Sequence, residues 1–160
     1  MTERISGQRW GMAFKLWHVP LRLATGAFIL NSGLSKRNAD KETAERLHGF
    51  ASGAYRQFQD MAPEQFAKML SAGEIAVGAA LLTPFVPAGV AGAALTGFSA
   101  LLGGLYWRTP GMHDEGSVRP TEQGIPLAKD AWMLSIGSAL VLDALTGRRS
   151  GRKKQEKASS

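Results

Sequence analysis

The sequence predicts an all-helical integral membrane protein, built as a bundle of four transmembrane helices. The main evidence is a run of 33 residues, from Ile75 to Trp107, that contains no charged side chain. A spanning helix needs about 20 mostly apolar residues, so this run supplies most of two helices. A turn between them is predicted at Pro84 to Pro87, because proline is tolerated at a helix start but breaks a helix interior.

Four spans account best for the apolar segments. Pro63, Pro87 and Pro126 lie at or near the starts of three of them, where a missing backbone N–H costs little. Between the first two spans, residues 44–58 carry apolar side chains at helical spacing, which predicts a short amphipathic helix. It could lie on the membrane surface or pack on the outer end of the bundle, and the sequence leaves both open. The predicted spans are Leu16 to Ser35, Phe66 to Thr83, Ala88 to Trp107 and Ile125 to Leu145.

Basic residues predict the orientation of the bundle. The formal net charge is +6, and residues 147–160 contribute +5 of it, with six basic side chains against Glu156 alone. Cytoplasmic flanks of spanning helices carry an excess of Lys and Arg. We therefore expect a multi-pass protein of the plasma membrane with both termini in the cytoplasm. We expect a cytoplasmic segment at residues 1–15, one membrane domain at residues 16–146 and a disordered basic tail at residues 147–160. Thr146-Gly147 is the predicted end of the fourth span.

The composition excludes several kinds of chemistry. The chain has no cysteine, so disulfides, thiolate nucleophiles and Cys-ligated metals are excluded. Its histidines, His18, His48 and His113, are far apart in the sequence and form no helical pair suited to a metal or haem. No strand precedes the glycines of the third span, as a phosphate-binding loop would require. The sequence therefore predicts no catalytic residue, no metal site and no evident cofactor, and it leaves a bound quinone open.

Small residues predict how the spans pack against each other. Lipid tails are as apolar as leucine, so helices in a membrane associate through small residues that let their backbones approach. We expect three such rows to face neighbouring helices. They are Gly92, Thr96, Ala100 and Gly104; Gly89, Ala93 and Gly97; and Ala72, Ala76 and Ala80.

Ionisable residues inside the predicted spans mark the candidate site. A charge at membrane depth costs about 2.5 to 3.5 kcal/mol on insertion scales, so it normally points inward and pairs. Glu74 lies about eight residues into its predicted helix, roughly 12 Å along the axis, and cannot easily reach either surface. The outer half of the predicted bundle also holds other polar residues, which we expect to form one cluster with Glu74. They are Lys129, Asp130, Lys36 and Asn31.

Two interpretations of this cluster remain open from the residues alone. It could be a structural salt-bridge network, or a site for the polar head group of a ligand such as a quinone entering from the outer leaflet. Arg22 is a further candidate, because it shares a face of the first helix with Lys36. Arg22 and Asp143 both fall near the predicted cytoplasmic boundary, where charged side chains commonly reach the interface.

Three motifs follow one another within residues 20–145. They are Arg22-x3-Gly26 with Asn31-Ser32-Gly33-x2-Lys36, Glu74-x3-Gly78 with Leu81-Leu82, and Gly124-Ile-Pro-Leu-Ala-Lys129-Asp130-Ala-Trp132. In this order and spacing they resemble the DoxX-like family of small membrane proteins, the third motif being like that of actinobacterial members. The resemblance implies a four-helix membrane protein, in some members a subunit linked to quinone reduction during sulfur-compound oxidation. Mycobacterial relatives are associated with a membrane oxidoreductase complex for oxidative and thiol stress.

These observations support one leading function hypothesis and two alternatives. The leading one is an accessory subunit, non-catalytic or quinone-linked, of a redox or oxidative-stress membrane complex. Its partners would be the lipid bilayer and oxidoreductase subunits, and a homo-oligomer is left open. The second is a small carrier or membrane scaffold that uses the same cluster without redox chemistry. The third is a soluble helical protein whose tail binds nucleic acid. Because a basic run after an apolar helix is first a topology signal, we expect no nucleic-acid partner.

Overall fold

The fold is helical throughout the residues that the structure describes. A computed structural model describes residues 15–114, 116–128 and 130–158, and for residues 126 and 148–158 it describes the backbone only. Within these ranges there is no strand beyond an isolated antiparallel bridge between His113 and Pro120. The predicted all-helical class is confirmed. The helices are α1 (His18–Lys36), α2 (Lys41–Ala54), α3 (Pro63–Leu82), α4 (Ala88–Arg108), α5 (Ile125–Ala128) and α6 (Ala131–Ala158).

Among the described helices, α4 alone is long and apolar enough to cross a membrane by length and composition. The apolar part of α6, Ala131–Gly147, is shorter. Helices α1 and α3 have the length, 19 and 20 residues, but each carries charged residues within it. These criteria therefore support the third predicted span and do not establish a four-span bundle.

The long helices form two antiparallel pairs, α1 with α3 and α4 with α6, whose spacing depends on glycine. A Cβ atom on Gly78 of α3 would lie 2.7 Å from the backbone nitrogen of Leu30 in α1. A Cβ atom on Gly92 of α4 would lie 2.7 Å from the Cβ atom of Leu140 in α6. The backbones therefore approach more closely than a larger residue would permit.

The two pairs meet in one apolar core that all four long helices share. Its members are buried side chains, and contacts between such residues supply most of the packing energy of a bundle. They are Ile29 of α1, Leu81 of α3, Ala91 and Leu95 of α4, and Met133 and Leu140 of α6.

The predicted rows of small residues are used only in part. Gly92 contacts α6 as expected, but Ala100 in the same row is exposed. The row on α3 is wrong as a packing face for Ala72 and Ala76, because both are exposed. The face of α3 that contains Gly78 approaches α1 instead. Ala72 and Ala76 therefore lie on the outside of the pair formed by α1 and α3.

Helix α2 covers the end of the bundle where α1 ends and α3 begins, called the Lys36 end below. The Asp40 carboxylate accepts a hydrogen bond of 2.8 Å from the Thr43 backbone N–H, and this bond lowers the pKa of Asp40. Ala44 and Ala51 are buried where α2 packs on α3 and α4. The Tyr55 hydroxyl then donates to a carbonyl oxygen of α4 at 2.8 Å. The sequence left open whether this helix lies on the membrane surface or packs on the end of the bundle. The described contacts of α2 are those of a helix packed on the bundle.

The fourth predicted span differs from the structure at its beginning, which is the separate turn α5, and α6 starts only after Asp130. The apolar part of α6 ends at Gly147, where the end of the span was predicted. The helix itself continues to Ala158 and includes most of the tail expected to be disordered. Arg, Lys, Gln and Glu are good helix formers, and a glycine costs only about 1 kcal/mol. The two glycines of this segment are therefore insufficient to stop an established helix.

We expect Gly92→Ala and Gly97→Ala, five residues apart in α4, to have opposite effects on stability. A methyl group at Gly92 meets Leu140 and the Gly137 carbonyl oxygen within 2.8 Å, and overpacking of this kind costs about 1 to 3 kcal/mol. A Cβ atom at Gly97 meets nothing within 4 Å, so helix propensity should stabilise that variant by up to about 1 kcal/mol. The free energy of unfolding in mixed detergent micelles checks both. Equal losses at the two positions would contradict the packing described.

Candidate functional site

The strongest candidate site is a buried ion pair between α3 and α1. The Glu74 side chain is nearly inaccessible, and Lys36 Nζ donates to Glu74 Oε1 and Oε2 at 3.0 Å each. Lys36 Nζ also donates to Ser32 Oγ at 2.6 Å, and Ser32 Oγ donates to Glu74 Oε1 at 3.3 Å. Each of the three residues therefore contacts the other two, and every one of these contacts has the Lys36 ammonium as donor or the Glu74 carboxylate as acceptor. We call Ser32, Lys36 and Glu74 the Glu74 cluster.

Close packing of α1 on α3 places these side chains. A Cβ atom on Gly33 would lie 2.9 Å from the Cβ atom of Glu74, so only glycine lets the two helices approach at this level. Ser71, one turn before Glu74, is buried and its hydroxyl donates to the Gly33 carbonyl oxygen at 2.7 Å. Lys36 belongs to the last turn of α1, from which its side chain extends back to Ser32. The cluster is thus held at a fixed register of the two helices.

The other predicted members of this cluster have different positions. Asp130 is half-buried just before α6, close enough to interact electrostatically with both Glu74 and Lys36. Lys129 lies outside the described residues. Asn31 is exposed, and two residues along a helix place it about 200° around α1 from Gly33. Of the two lysines predicted as partners of Glu74, the structure shows the contact with Lys36.

Arg22 lies far from the Glu74 cluster and caps α3. It is 14 residues before Lys36 in α1, or about 21 Å along the axis. Its guanidinium is buried and donates to backbone carbonyl oxygens at the end of α3 and in the following turn. These carbonyls lack partners within the helix, and a cation is favoured at a helix C-terminus. The bonds are Nε to Leu81 at 2.7 Å, Nη2 to Ala80 at 3.0 Å and to Thr83 at 2.8 Å, and Nη1 to Val86 at 3.2 Å.

Asp143 joins α6 to the beginning of α1 at the opposite end, called the His18 end below. Its Oδ1 accepts a hydrogen bond of 2.6 Å from Lys15 Nζ, and its Oδ2 lies 3.2 Å from His18 Nε2. His18 is buried, and its Nε2 makes no hydrogen bond to a described residue. Asp143 is therefore a paired residue between two helices rather than a lone anchor at an interface.

Two hydroxyl residues at the site, Ser32 and Ser71, were not among the predicted site residues. Ser32 precedes Lys36 by four positions and Ser71 precedes Glu74 by three. These spacings place residues on one face of a helix. A helical projection drawn from Lys36 and Glu74 would therefore have found both serines.

The chemistry available at the Glu74 cluster is hydrogen bonding and charge. The ammonium of Lys36 and the hydroxyl of Ser32 are donors, and the carboxylates of Glu74 and Asp130 are acceptors. Asp130 makes no side-chain hydrogen bond to another described residue. Among the described residues there is no group of three His, Asp or Glu side chains that could hold a metal ion.

No family model, curated protein or solved structure matches this chain. The DoxX-like resemblance therefore depends on the motifs around Arg22, Lys36, Glu74 and Asp130 alone, and it stays a prediction.

Proposed function

We propose that the chain is a multi-pass membrane protein whose four spans are α1, α3, α4 and the apolar part of α6. One observation carries this proposal: Arg22 and Glu74 are buried inside the bundle while many large apolar side chains lie outside. Phe28 of α1 is 57% exposed and Leu142 of α6 is 61% exposed. A soluble helix presents a polar stripe to water, and apolar surface of this extent indicates a lipid or protein environment. Other exposed apolar residues are Leu23, Leu34, Met69, Val90, Leu101, Leu134 and Leu145.

The buried charges of α1 and α3, Arg22 and Glu74, are compatible with spans because partners inside the protein satisfy them. Arg22 donates to backbone carbonyls, and Glu74 is paired with Lys36. Ionisable residues in membrane helices normally face the bundle and pair in this way. Helix α4 supports the same proposal, because only 22% of its most apolar 18-residue window is buried, less than expected for the core helix of a soluble protein.

We expect the protein to resist extraction by alkaline carbonate and to hold both termini in the cytoplasm. The basic residues after Leu145 are the reason for this orientation. A reporter fused after Leu145 should be active only when it is of the cytoplasmic type, and one fused after Met61 only when it is of the external type. Release by carbonate, or an external signal from the fusion after Leu145, would contradict the four-span topology.

Within this membrane protein, we propose that the Glu74 cluster and Asp130 recognise the polar head group of an amphipathic molecule, with a quinone as the leading candidate. Quinone carbonyls accept hydrogen bonds, and Lys36 and Ser32 are donors between two helices. With the DoxX-like resemblance, this favours an accessory subunit, non-catalytic or quinone-linked, of a redox or oxidative-stress complex. A carrier or scaffold is the alternative. It is favoured by the mutual contacts within the cluster, since a buried pair can fix helix register without binding anything.

The ligand hypothesis is tested with the full chain in mild detergent and a short-chain quinone analogue, followed by tryptophan fluorescence. Lys36→Gln with Glu74→Gln removes both charges together, so it leaves no stranded ion, and it should abolish quenching while melting changes little. Glu64→Gln, an exposed change in the first turn of α3, should bind normally. Equal binding by all three proteins would reject the ligand site. Co-purification in mild detergent should also recover oxidoreductase subunits, and their consistent absence would contradict the accessory role.

A further inference from the structure

The end of α6 carries most of the net charge of the chain. Residues 148–158 hold six basic residues and Glu156, against a total formal charge of +6, and they continue α6 without a break. We propose that this segment, the basic helix, binds the anionic head groups of lipids in the cytoplasmic leaflet. The proposal rests on the membrane arrangement proposed above.

The basic helix begins where the apolar surface of the bundle ends. Leu142 and Leu145 are 61% and 52% exposed, and Arg148 follows Leu145 by three residues, or about 4.5 Å along the helix. Head groups occupy roughly 5 to 7 Å on each side of the hydrocarbon. Trp17 is also exposed at the His18 end, and tryptophan is enriched at this depth. The first basic residues therefore fall within the head-group layer.

The acid of α6 nearest to the basic helix already has a partner in the bundle. Asp143, the nearest acid of α6 before the segment, is already engaged by Lys15 and His18. Lys15 Nζ, the partner of Asp143, lies 3.9 Å from a Cβ atom built on Gly147. A basic cluster directly after a spanning helix attracts anionic lipid. Nucleic acid would have to compete with lipid head groups that lie within one Debye length of the first basic residues, about 8 Å at physiological salt.

The geometry also predicts that the basic helix changes its position relative to the membrane when the charge of the lipids changes. Lys157 follows Arg148 by nine residues, or about 13.5 Å, so a straight α6 normal to the membrane would carry it past the head groups. All six basic residues reach lipid only if the segment bends towards the surface. Gly147 and Gly151 are the positions where a helix bends at least cost. We expect the basic helix to lie on an anionic membrane and to stand away from a zwitterionic one.

Because the chain has no cysteine, Ala158→Cys introduces a single site for a donor dye. The full chain is placed in nanodiscs with a head-group-labelled acceptor, made either of phosphatidylcholine or of phosphatidylcholine with phosphatidylglycerol. Energy transfer should be higher in the anionic discs. It should fall as KCl rises from about 0.01 M to about 1 M, over which the Debye length shortens from roughly 30 to 3 Å.

Two triple variants distinguish lipid binding by the basic helix from an effect of the net charge of the whole protein. Arg152, Lys153 and Lys154 changed to Gln should weaken the membrane-bound state about a hundredfold, since each basic residue near the surface contributes about fivefold. The matched control changes Arg37, Lys41 and Arg46 to Gln, three exposed residues towards the Lys36 end, and should leave energy transfer unchanged.

Three results would overturn the proposal. They are equal transfer in both kinds of disc, an unchanged signal from the tail variant, and displacement of the tail from anionic discs by a single-stranded oligonucleotide at physiological salt. The last would assign the basic helix to nucleic acid. Failure to remain in carbonate-washed membranes would instead reject the membrane arrangement itself, and that result is measured independently of the dye.

Discussion

Replacing Lys36 by Met is expected to destabilise the protein by about 3 to 5 kcal/mol, because it leaves the Glu74 carboxylate buried without its partner. Glu74 is 6% exposed, and Lys36 provides its only ion-pair contact among the described residues. Changing both residues to Met should recover most of this loss, since apolar residues of similar volume often replace a buried pair at little cost. Free energies of unfolding in mixed detergent micelles for the four proteins of this cycle give the coupling directly.

The chain contains a matched control for this cycle. Lys41 and Glu45 of α2 form an exposed i,i+4 pair with a nitrogen–oxygen distance of 3.8 Å. Its coupling energy should stay below about 1 kcal/mol, as for other surface pairs. If the coupling between Lys36 and Glu74 is no larger than this, the carboxylate is solvated and the site is not the buried cluster described above.

The sequence predicts a helix boundary best where a proline marks it. Helix α4 was expected at Ala88 to Trp107 and is found at Ala88–Arg108, and α3 begins at Pro63. A proline fixes the start of a helix because it lacks the N–H that an interior position must donate. At α6 no such residue follows the apolar segment. Hydropathy marks where a lipid-facing surface ends, whereas the backbone continues for as long as its residues favour a helix.

The sequence predicted how far along the helices the site residues lie, but not which side of each helix they face. Depth from the ends of the helices correctly placed Lys36 near the level of Glu74, and the same argument admitted Asn31. The angle around α1 separates these residues: Ser32 lies about 40° from Lys36, whereas Asn31 lies about 140° from Lys36. Because Lys36 contacts Glu74, its spacing of four residues from Ser32 was the informative signal for choosing Ser32.

The partners of Arg22 could not be predicted from residue types. They are backbone carbonyls of Ala80, Leu81, Thr83 and Val86, and every residue has a carbonyl. The sequence shows a charged residue near a predicted boundary, which is equally typical of an interfacial anchor. Only the close approach of α1 to the end of α3 makes Arg22 a cap, and that approach depends on glycines such as Gly26, whose Cβ would meet Leu82 at 2.9 Å.

Arg22→Lys is therefore expected to destabilise the protein by about 2 to 4 kcal/mol although the charge is kept. The planar guanidinium donates in several fixed directions, and an ammonium cannot reproduce that geometry. About two of the four hydrogen bonds should be lost, at roughly 1 to 2 kcal/mol for each. The loss should appear in the free energy of unfolding. Protease sensitivity should increase at residues 83–87, because Arg22 holds the turn between α3 and α4.

The control for this prediction is Arg37→Lys, one residue beyond the end of α1. Arg37 is exposed and donates no side-chain hydrogen bond to another described residue, so this change should stay within about 0.5 kcal/mol. A loss at Arg22→Lys as small as that at Arg37→Lys would mean that the carbonyls at the end of α3 have other donors. In that case Arg22 would be an interfacial charge, and the register of α1 on α3 would depend on the glycines and the Glu74 cluster alone.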